Sequence, residues 1–239
     1  MQASDYVEAN RRAWNQVAPI HARTNLARLL RSFAQPGFSV LDEYETAKLR
    51  AIGMAGKAVA QVACNNGREL LSIKNLGAGR CVGFDLADEF IKQAQALNAA
   101  AGQDCEFVAT SVYDIPAAYD QAFDLVYITI GVLSWMPDTH AFMAVVARLL
   151  RPGGHLLIYE MHPFLNMLDL PSESSTPLQI TLSYFNPAAT ADTGGLDYYE
   201  GAKYDALPNY WFAHTLSAIL MGLIRNGIAV ASFDEYPHD

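Results

Sequence analysis

One carboxylate and one polar turn in this sequence are placed where they could bind a ligand. An apolar run that begins at Val59 enters the polar turn 64–67, and a helical pattern follows. A second apolar run ends on Asp85. Backbone N–H groups at such a turn favour polar ligand groups, and an acid on the neighbouring strand end can accept hydrogen bonds from hydroxyls. The stretch 59–85 therefore predicts a crevice for a nucleoside ligand.

A histidine is the best candidate for proton transfer. His162 follows an apolar strand pattern that ends at Glu160, at the edge where a substrate would arrive, and it could take a proton from a hydroxyl or an amine. A histidine that only bonds a loop carbonyl is an equally good interpretation. His21 and Trp135 are further candidates for the substrate pocket, although both are more simply explained by packing. No His, Cys and acid share metal-ligand spacing, so no metal is expected.

Alternating strand and helix patterns must position these residues. Helices are predicted over about 70–76, 88–101 and 139–150. Predicted strands begin near residue 59 and cover 81–85, 105–110, 123–130 and 155–160. Regular alternation of this kind predicts a doubly wound α/β domain with a mostly parallel sheet.

The flanking segments predict additions to one structural domain. Three helices, 4–18, 25–34 and 42–52, form a cap within residues 1–56, and Pro19 is expected to end the first of them. The sheet-forming core is predicted over 57–160. Prolines and aromatics without a helical period indicate an inserted substrate lobe over 161–214, with a hairpin around 186–195. Residues 215–239 would return to the core as a helix, 217–226, and a strand, 228–236.

Composition excludes several classes of partner. The net charge is −9 and charged residues make up 17% of the chain, so a nucleic-acid phosphate backbone is a poor partner. Cys64, Cys81 and Cys105 lack C-x-x-C spacing and predict reduced core thiols. No stretch approaches the length of a membrane span, and the first residues do not have the pattern of a signal peptide. A cytoplasmic protein that binds no membrane is expected.

Five segments in this order resemble the class I S-adenosylmethionine-dependent methyltransferases, in particular small-molecule enzymes of the ubiquinone and menaquinone type. They are YVEANRRAWNQVAPIH, CNNGRE, GFD, FDLVY and LLRPGGHLLIYE, and the similarity covers roughly residues 6–236. The resemblance implies a seven-strand type of sheet with S-adenosyl-L-methionine as cofactor. It also implies methyl transfer to an O, N or C nucleophile of a small, apolar or aromatic acceptor.

The resemblance also implies which residues contact the cofactor. The turn would lie against the methionine part, Asp85 would bind both ribose hydroxyls, and Leu86 would contact the adenine. Two strand tips and the cap helix would supply the remaining contacts. The full implied set is Tyr6, Trp14, Ala63, Cys64, Asn65, Asn66, Gly67, Asp85, Leu86, Ser111, Val112, Tyr113, Ile128, Thr129 and Ile130.

Several positions depart from the family pattern. Gln61 replaces the usual strand-end acid, Ala63 and Asn65 replace two glycines, and Ser111 replaces the usual adenine-binding acid. Asn tolerates positive φ, so the turn is still expected to form, with weaker cofactor binding. The last antiparallel strand is missing from the sequence, which would leave a sheet edge open. We expect truncation, a strand from the lobe, or a partner such as a second copy to account for it.

Three alternatives to catalysis by a methyltransferase stay open. An ordinary crossover without a ligand would not explain an acid at the strand tip. A nicotinamide dehydrogenase would need G-x-G-x-x-G at the turn, where only Gly67 is present. A methyltransferase-like protein that binds the cofactor or a metabolite without turnover would explain both the altered turn and the missing strand.

Overall fold

A five-stranded parallel sheet forms the centre of the protein. In this computed structural model, which describes residues 1–168 and 178–237, the strand order is β3-β2-β1-β4-β5. The strands are β1 Val59–Val62, β2 Cys81–Asp85, β3 Glu106–Ala109, β4 Phe123–Ile128 and β5 Leu150–Ile158. All four pairings are parallel. The carboxyl ends of the strands therefore meet at one edge, as the sequence predicts.

Helices cover both faces of this sheet. They are α1 Ala3–His21, α2 Ala27–Phe33, α3 Glu43–Ile52, α4 Arg68–Asn75, α5 Asp88–Ala101, α6 Thr139–Leu149 and α7 Leu216–Arg225. Side chains of α2 to α5 pack in one core cluster, and those of α6 and α7 pack in the other. The inner strands β1 and β4 are buried almost throughout, in keeping with their largely apolar sequences. The predicted doubly wound α/β fold is confirmed, with five strands.

The N-terminal cap is more continuous than the sequence predicts. Pro19 lies inside α1, and a π-helical turn, Ala22–Leu26, joins α1 directly to α2. The prediction that Pro19 ends the helix is wrong. Burial of Val17, Ala18 and His21 outweighs the backbone hydrogen bond that proline removes.

Two strand predictions are also wrong. Residues 228–236 form no strand, although the outer edge of β5 has no strand partner among the described residues. Two contacts hold the segment instead, an ion pair from Lys48 to Asp234 at 2.6 Å and a polar contact between His162 and Glu235 at 3.1 Å. The strand β5 also begins earlier than expected, at Leu150, because a register shift against β4 accommodates the Pro-Gly-Gly sequence.

The inserted lobe contains a small sheet of its own. The strands β6 Thr190–Asp192 and β7 Asn209–Trp211 pair antiparallel, so the predicted local hairpin around 186–195 is wrong. The partner of β6 comes from a distant position because α1 holds β7 in place. Residues 169–177, which belong to the predicted lobe, lie outside the described part of the chain. Within the described part, no helix combines the length and apolar character that a membrane crossing requires.

Candidate active site

Asp85 ends β2 at the carboxyl edge of the sheet and is 7% exposed. One carboxylate oxygen accepts from the N–H of Ala87 at 2.8 Å, and the other accepts from the N–H of Asn65 at 2.7 Å. Burial raises its pKa to about 6, against the lowering effect of these amides. Since an ionised carboxylate has about four lone-pair sites, both oxygens can still accept from ligand hydroxyls.

The turn beside Asp85 folds although two expected glycines are missing. Ala63, Asn65 and Gly67 have φ values of 51°, 49° and 71°. The tolerance expected of Asn65 is confirmed, and Ala63 adopts the same left-handed region at some cost in strain. A Cβ at Gly67 would lie 2.3 Å from Cε1 of Phe107, so this glycine also permits close packing between α4 and β3. Cys64 is buried and its thiol is free, as are those of Cys81 and Cys105.

Two buried acceptors lie near this turn. Oε1 of Gln61 and Oδ1 of Asn66 have no hydrogen-bond partner within the described part of the chain. The Nε2 of Gln61 donates to Oγ1 of Thr129 at 3.5 Å, which joins the ends of β1 and β4. Buried polar oxygens without partners are costly, and a ligand with ammonium or hydroxyl donors would satisfy them. S-adenosylmethionine carries both kinds of donor, so this set of residues fits it.

The side chains at the tips of β3 and β4 differ in how deeply they are buried. Ser111 caps a short 3-10 turn by accepting from the N–H of Tyr113 at 3.3 Å. Val112 is buried, and the hydroxyl of Tyr113 lies 3.8 Å from Sδ of Met136, so these two side chains pack inward. At the tip of β4, Ile128 is fully buried whereas Ile130 is 58% exposed. Leu86, beside Asp85, is half-buried.

Glu160 is a structural member of the site that the sequence reasoning missed. Its carboxylate accepts from the N–H groups of Gly131, Leu133 at 3.1 Å and Met161 at 3.0 Å. Burial raises its pKa and the amides lower it. The residue fixes the loop that follows β4 to the end of β5. The sequence signal for Glu160 is an acid near the end of a strand, since it follows β5 by two residues and Asp85 ends β2.

A long segment of the lobe, residues 196–212, crosses α1, and we call it the strap. Side-chain amides of α1 bind its backbone. Asn10 accepts from the N–H of Tyr210 at 2.7 Å and donates to its carbonyl at 2.8 Å. Gln16 donates to the carbonyl of Asp205 at 2.8 Å and accepts from the N–H of Leu207 at 2.9 Å. The α1 helix and the strap therefore form one unit.

The aromatic residues of α1 contact this unit and the loop after β4. The Tyr6 ring lies 5.1 Å from that of Tyr210 and 5.3 Å from that of Phe212. The Trp14 ring lies 5.2 Å from that of Trp135. The two tryptophans thus join α1 to the loop after β4, whose start forms part of the implied cofactor set.

The strap also holds His21, the predicted pocket histidine at the end of α1. His21 is 1% exposed, and its Nε2 donates to the carbonyl of Leu196 at 3.0 Å. Burial lowers its pKa, and nearby Asp197 partly offsets this effect. The packing interpretation of His21 fits these contacts. A further contact missed from sequence joins the strap to α4, where Nη1 of Arg68 donates to the hydroxyl of Tyr199 at 2.9 Å.

His162 lies at the end of β5, as expected, but its ring is already engaged. Nδ1 accepts from the N–H of Phe164 at 3.1 Å, and Nε2 pairs with Glu235 at 3.1 Å. Its side chain is 37% exposed. None of the three predicted pocket residues, His21, Trp135 and His162, lines the large cavity described below.

Solved structures of methyltransferases share this architecture. An S-adenosylmethionine-dependent methyltransferase from Mesorhizobium loti superposes with a TM-score of 0.60 at 21% identity, covering 82% of this chain and 86% of that one. A second, from Listeria monocytogenes, gives 0.58 at 16% identity, covering 77% and 79%. The chain therefore has the fold of the class I methyltransferases.

Sequence comparison gives the family. Residues 60–158 match the family model described as a methyltransferase domain, so this core is a class I S-adenosylmethionine-dependent methyltransferase domain. The ubiquinone biosynthesis O-methyltransferase of Xanthomonas euvesicatoria is 33% identical over 116 residues, covering 48% of this chain and 46% of that protein. That of Thiobacillus denitrificans is 32% identical over 122 residues, covering 49% and 51%. The chain spans about half the length of these curated relatives. The predictions of class and cofactor are confirmed.

Proposed function

We propose that the protein transfers a methyl group from S-adenosylmethionine to a nucleophilic atom of a small-molecule acceptor. The single observation that supports this most strongly is Asp85. A carboxylate buried at the tip of β2, with one backbone amide on each oxygen, retains lone pairs for two adjacent hydroxyls. A ribose offers such a pair.

The other residues follow from this placement. Gln61 and Asn66 would receive the polar end of the methionine part, and Leu86 would contact the adenine. Bound S-adenosylmethionine supplies a methyl group that its sulfonium charge has already activated. The protein's own contribution is to orient the reactants and to exclude water, which α1 and the strap do together.

The acceptor is proposed to react through oxygen rather than nitrogen or carbon. The curated relatives quoted above are O-methyltransferases of ubiquinone biosynthesis, and they match 116 and 122 residues of this chain. The inserted lobe is proposed to select the acceptor, because it supplies the strap and much of the wall of the large cavity.

Calorimetry with S-adenosylmethionine and S-adenosylhomocysteine tests the cofactor site. Both ligands should bind, and Asp85→Ala should weaken both. Absence of binding by the wild-type protein, or an unchanged affinity in the variant, would contradict the proposal. Transfer of label from methyl-labelled S-adenosylmethionine to compounds of a cell extract then tests activity.

A second candidate is a protein that binds the cofactor without turnover. The strained Ala63 and the exposed edge of β5 are the observations that favour it. Binding without any label transfer would support this alternative, whereas transfer would reject it. A homodimer formed through the edge of β5 stays a prediction, and light scattering that finds only monomer would contradict it.

A further inference from the structure

A cavity of about 390 Å³ lies between the amino end of α6 and the inserted lobe. Its size falls within the range of about 300 to 1,000 Å³ that is usual for small-molecule sites. Rings form much of its wall, and they come from Pro137, Tyr184, Phe185, Pro187, Phe212 and His214. Flat aromatic walls of this kind suit a planar apolar ligand.

The charge of the wall limits the ligand further. Among residues 1–168 and 178–237, Asp138 is the one charged residue that lines the wall, and no Lys or Arg lines it. Its carboxylate already accepts from the N–H groups of His140 at 2.8 Å and Ala141 at 3.0 Å, where it caps α6. An anionic ligand would therefore meet no cation here and would lie beside a carboxylate. An uncharged ligand is favoured.

His214 is the group in this wall that can accept a proton. Its Nε2 lies 2.8 Å from the carbonyl oxygen of Met136. A carbonyl only accepts, so Nε2 carries the hydrogen and the neutral ring keeps its basic lone pair on Nδ1. Burial lowers the pKa of this ring, while the Met136 and Leu133 carbonyls and the Asp138 carboxylate partly offset that effect. Burial therefore favours the neutral ring.

His214 also connects the cavity to the edge of the sheet where the cofactor is proposed to bind. It lines a second, water-sized cavity of about 10 Å³ together with Leu133, Ser134 and Glu160. These residues follow β4 and β5 at their carboxyl ends, and Glu160 is the other titratable group that faces this small cavity. The histidine thus stands between the aromatic cavity and the carboxyl edge.

We propose that the aromatic cavity binds the methyl acceptor, an uncharged aromatic compound with a phenolic hydroxyl, and that Nδ1 of His214 takes the hydroxyl proton. This inference rests on the proposed function. The O–H bond breaks as the O–CH3 bond forms, and the electron pair of the broken S–CH3 bond stays on sulfur. The positive charge lost at sulfur appears on the imidazolium of His214, which then releases its proton to water.

Binding of the fluorescent compound 2-naphthol tests the cavity without any turnover. The wild-type protein should bind it, and 6-hydroxy-2-naphthoate should bind at least tenfold more weakly because of its charge. Ala218→Trp fills the cavity from α7 and should abolish binding. Ser217→Trp, on the exposed neighbour outside the wall, is the matched control and should bind like the wild type. Equal binding by both tryptophan variants, or no binding by the wild type, would overturn the proposal.

His214→Gln tests the proton transfer, since a glutamine can still donate to the Met136 carbonyl but cannot act as a base. It should bind S-adenosylhomocysteine as the wild type does, and it should still bind 2-naphthol with a loss of no more than about tenfold, the value of one hydrogen bond. The rate at which labelled S-adenosylmethionine methylates 2-naphthol should fall by about 100-fold or more. The wild-type rate should decrease toward low pH, and the rate of the variant should not. An unchanged rate or pH profile would overturn the role of His214. Failure of S-adenosylhomocysteine binding would instead refute the underlying function, because 2-naphthol binding is measured separately.

Discussion

Replacing Asp85 with asparagine should weaken binding of S-adenosylhomocysteine and remove its pH dependence. Asn has one acceptor oxygen and one NH2 group where Asp has two acceptor oxygens. The NH2 group would face the N–H of either Asn65 or Ala87, and one acceptor for the ligand hydroxyls would be lost. A hydrogen bond to a charged group contributes roughly 1.5 to 3 kcal/mol, which corresponds to about a 10- to 150-fold loss of affinity. Because burial raises the pKa of Asp85 to about 6, the charge of its carboxylate changes between pH 5 and pH 8.

The pH dependence follows from the raised pKa. Ligand hydroxyls donate to the ionised carboxylate, whose pKa is about 6 in the ligand-free protein. At pH 5 only roughly a tenth of the molecules carry the ionised form, so affinity should fall about tenfold between pH 8 and pH 5. Stability of the ligand-free protein changes in the opposite direction. A carboxyl whose pKa rises on folding stabilises most fully below pH 4, and that contribution is lost as pH rises through 6.

Calorimetric titration between pH 5 and 8 measures both effects. Asp124→Asn is a suitable control, because Asp124 also accepts from a backbone N–H, that of Ala58 at 2.8 Å, but lies at the opposite edge of the sheet. The control should lower stability and leave the affinity unchanged. The reasoning would be refuted by a wild-type affinity that is flat over this range, or by an Asp85→Asn variant with the wild-type slope.

Three further predictions concern the elements around the site. Burial raises the pKa of Glu45 to about 7, so the free energy of unfolding of the wild-type protein should fall as pH rises from 5 to 8. In Glu45→Gln this fall should be smaller by at most about 3 kcal/mol. Urea unfolding that gives the same fall for both proteins would contradict this. Gly67→Ala should lower the melting temperature more than Gly37→Ala. Both glycines have positive φ, but only a Cβ at position 67 clashes with a ring, at a cost of about 1 to 3 kcal/mol. Equal shifts in melting temperature would count against the clash. Asn10→Ala should lose about 1 to 3 kcal/mol in chemical unfolding, because it leaves the N–H and carbonyl of Tyr210 without their partner; a wild-type midpoint would rule this out.

The core of the fold could be predicted because its signals are local. The inner strands β1, β2 and β4 are short, largely apolar runs between turn residues, and the acid at Asp85 marks where β2 ends. Asn65 could be expected to fold the turn because its residue type tolerates positive φ. The same local reasoning failed at Pro19, where the burial of α1 against the rest of the protein outweighs a strong helix-breaking signal.

The parts that could not be predicted depend on distant contacts. His214 has no sequence neighbour that indicates chemistry, and its tautomer is fixed by the carbonyl of Met136, which is far away in the chain. The strand predicted over 228–236 has suitable residues but no sheet edge that pairs with it. Pairing across the lobe, between β6 and β7, likewise depends on Asn10 in the first helix.

The contacts between α1 and the strap also affect how the protein can change. Asn10 and Gln16 bind main-chain atoms of Tyr210, Asp205 and Leu207 and do not depend on the side chains at those three positions. Substitutions at those three positions can therefore change the surface of the strap while its attachment to α1 is kept. The strap can in this way diverge in sequence while the main-chain contacts that hold it against the first helix persist.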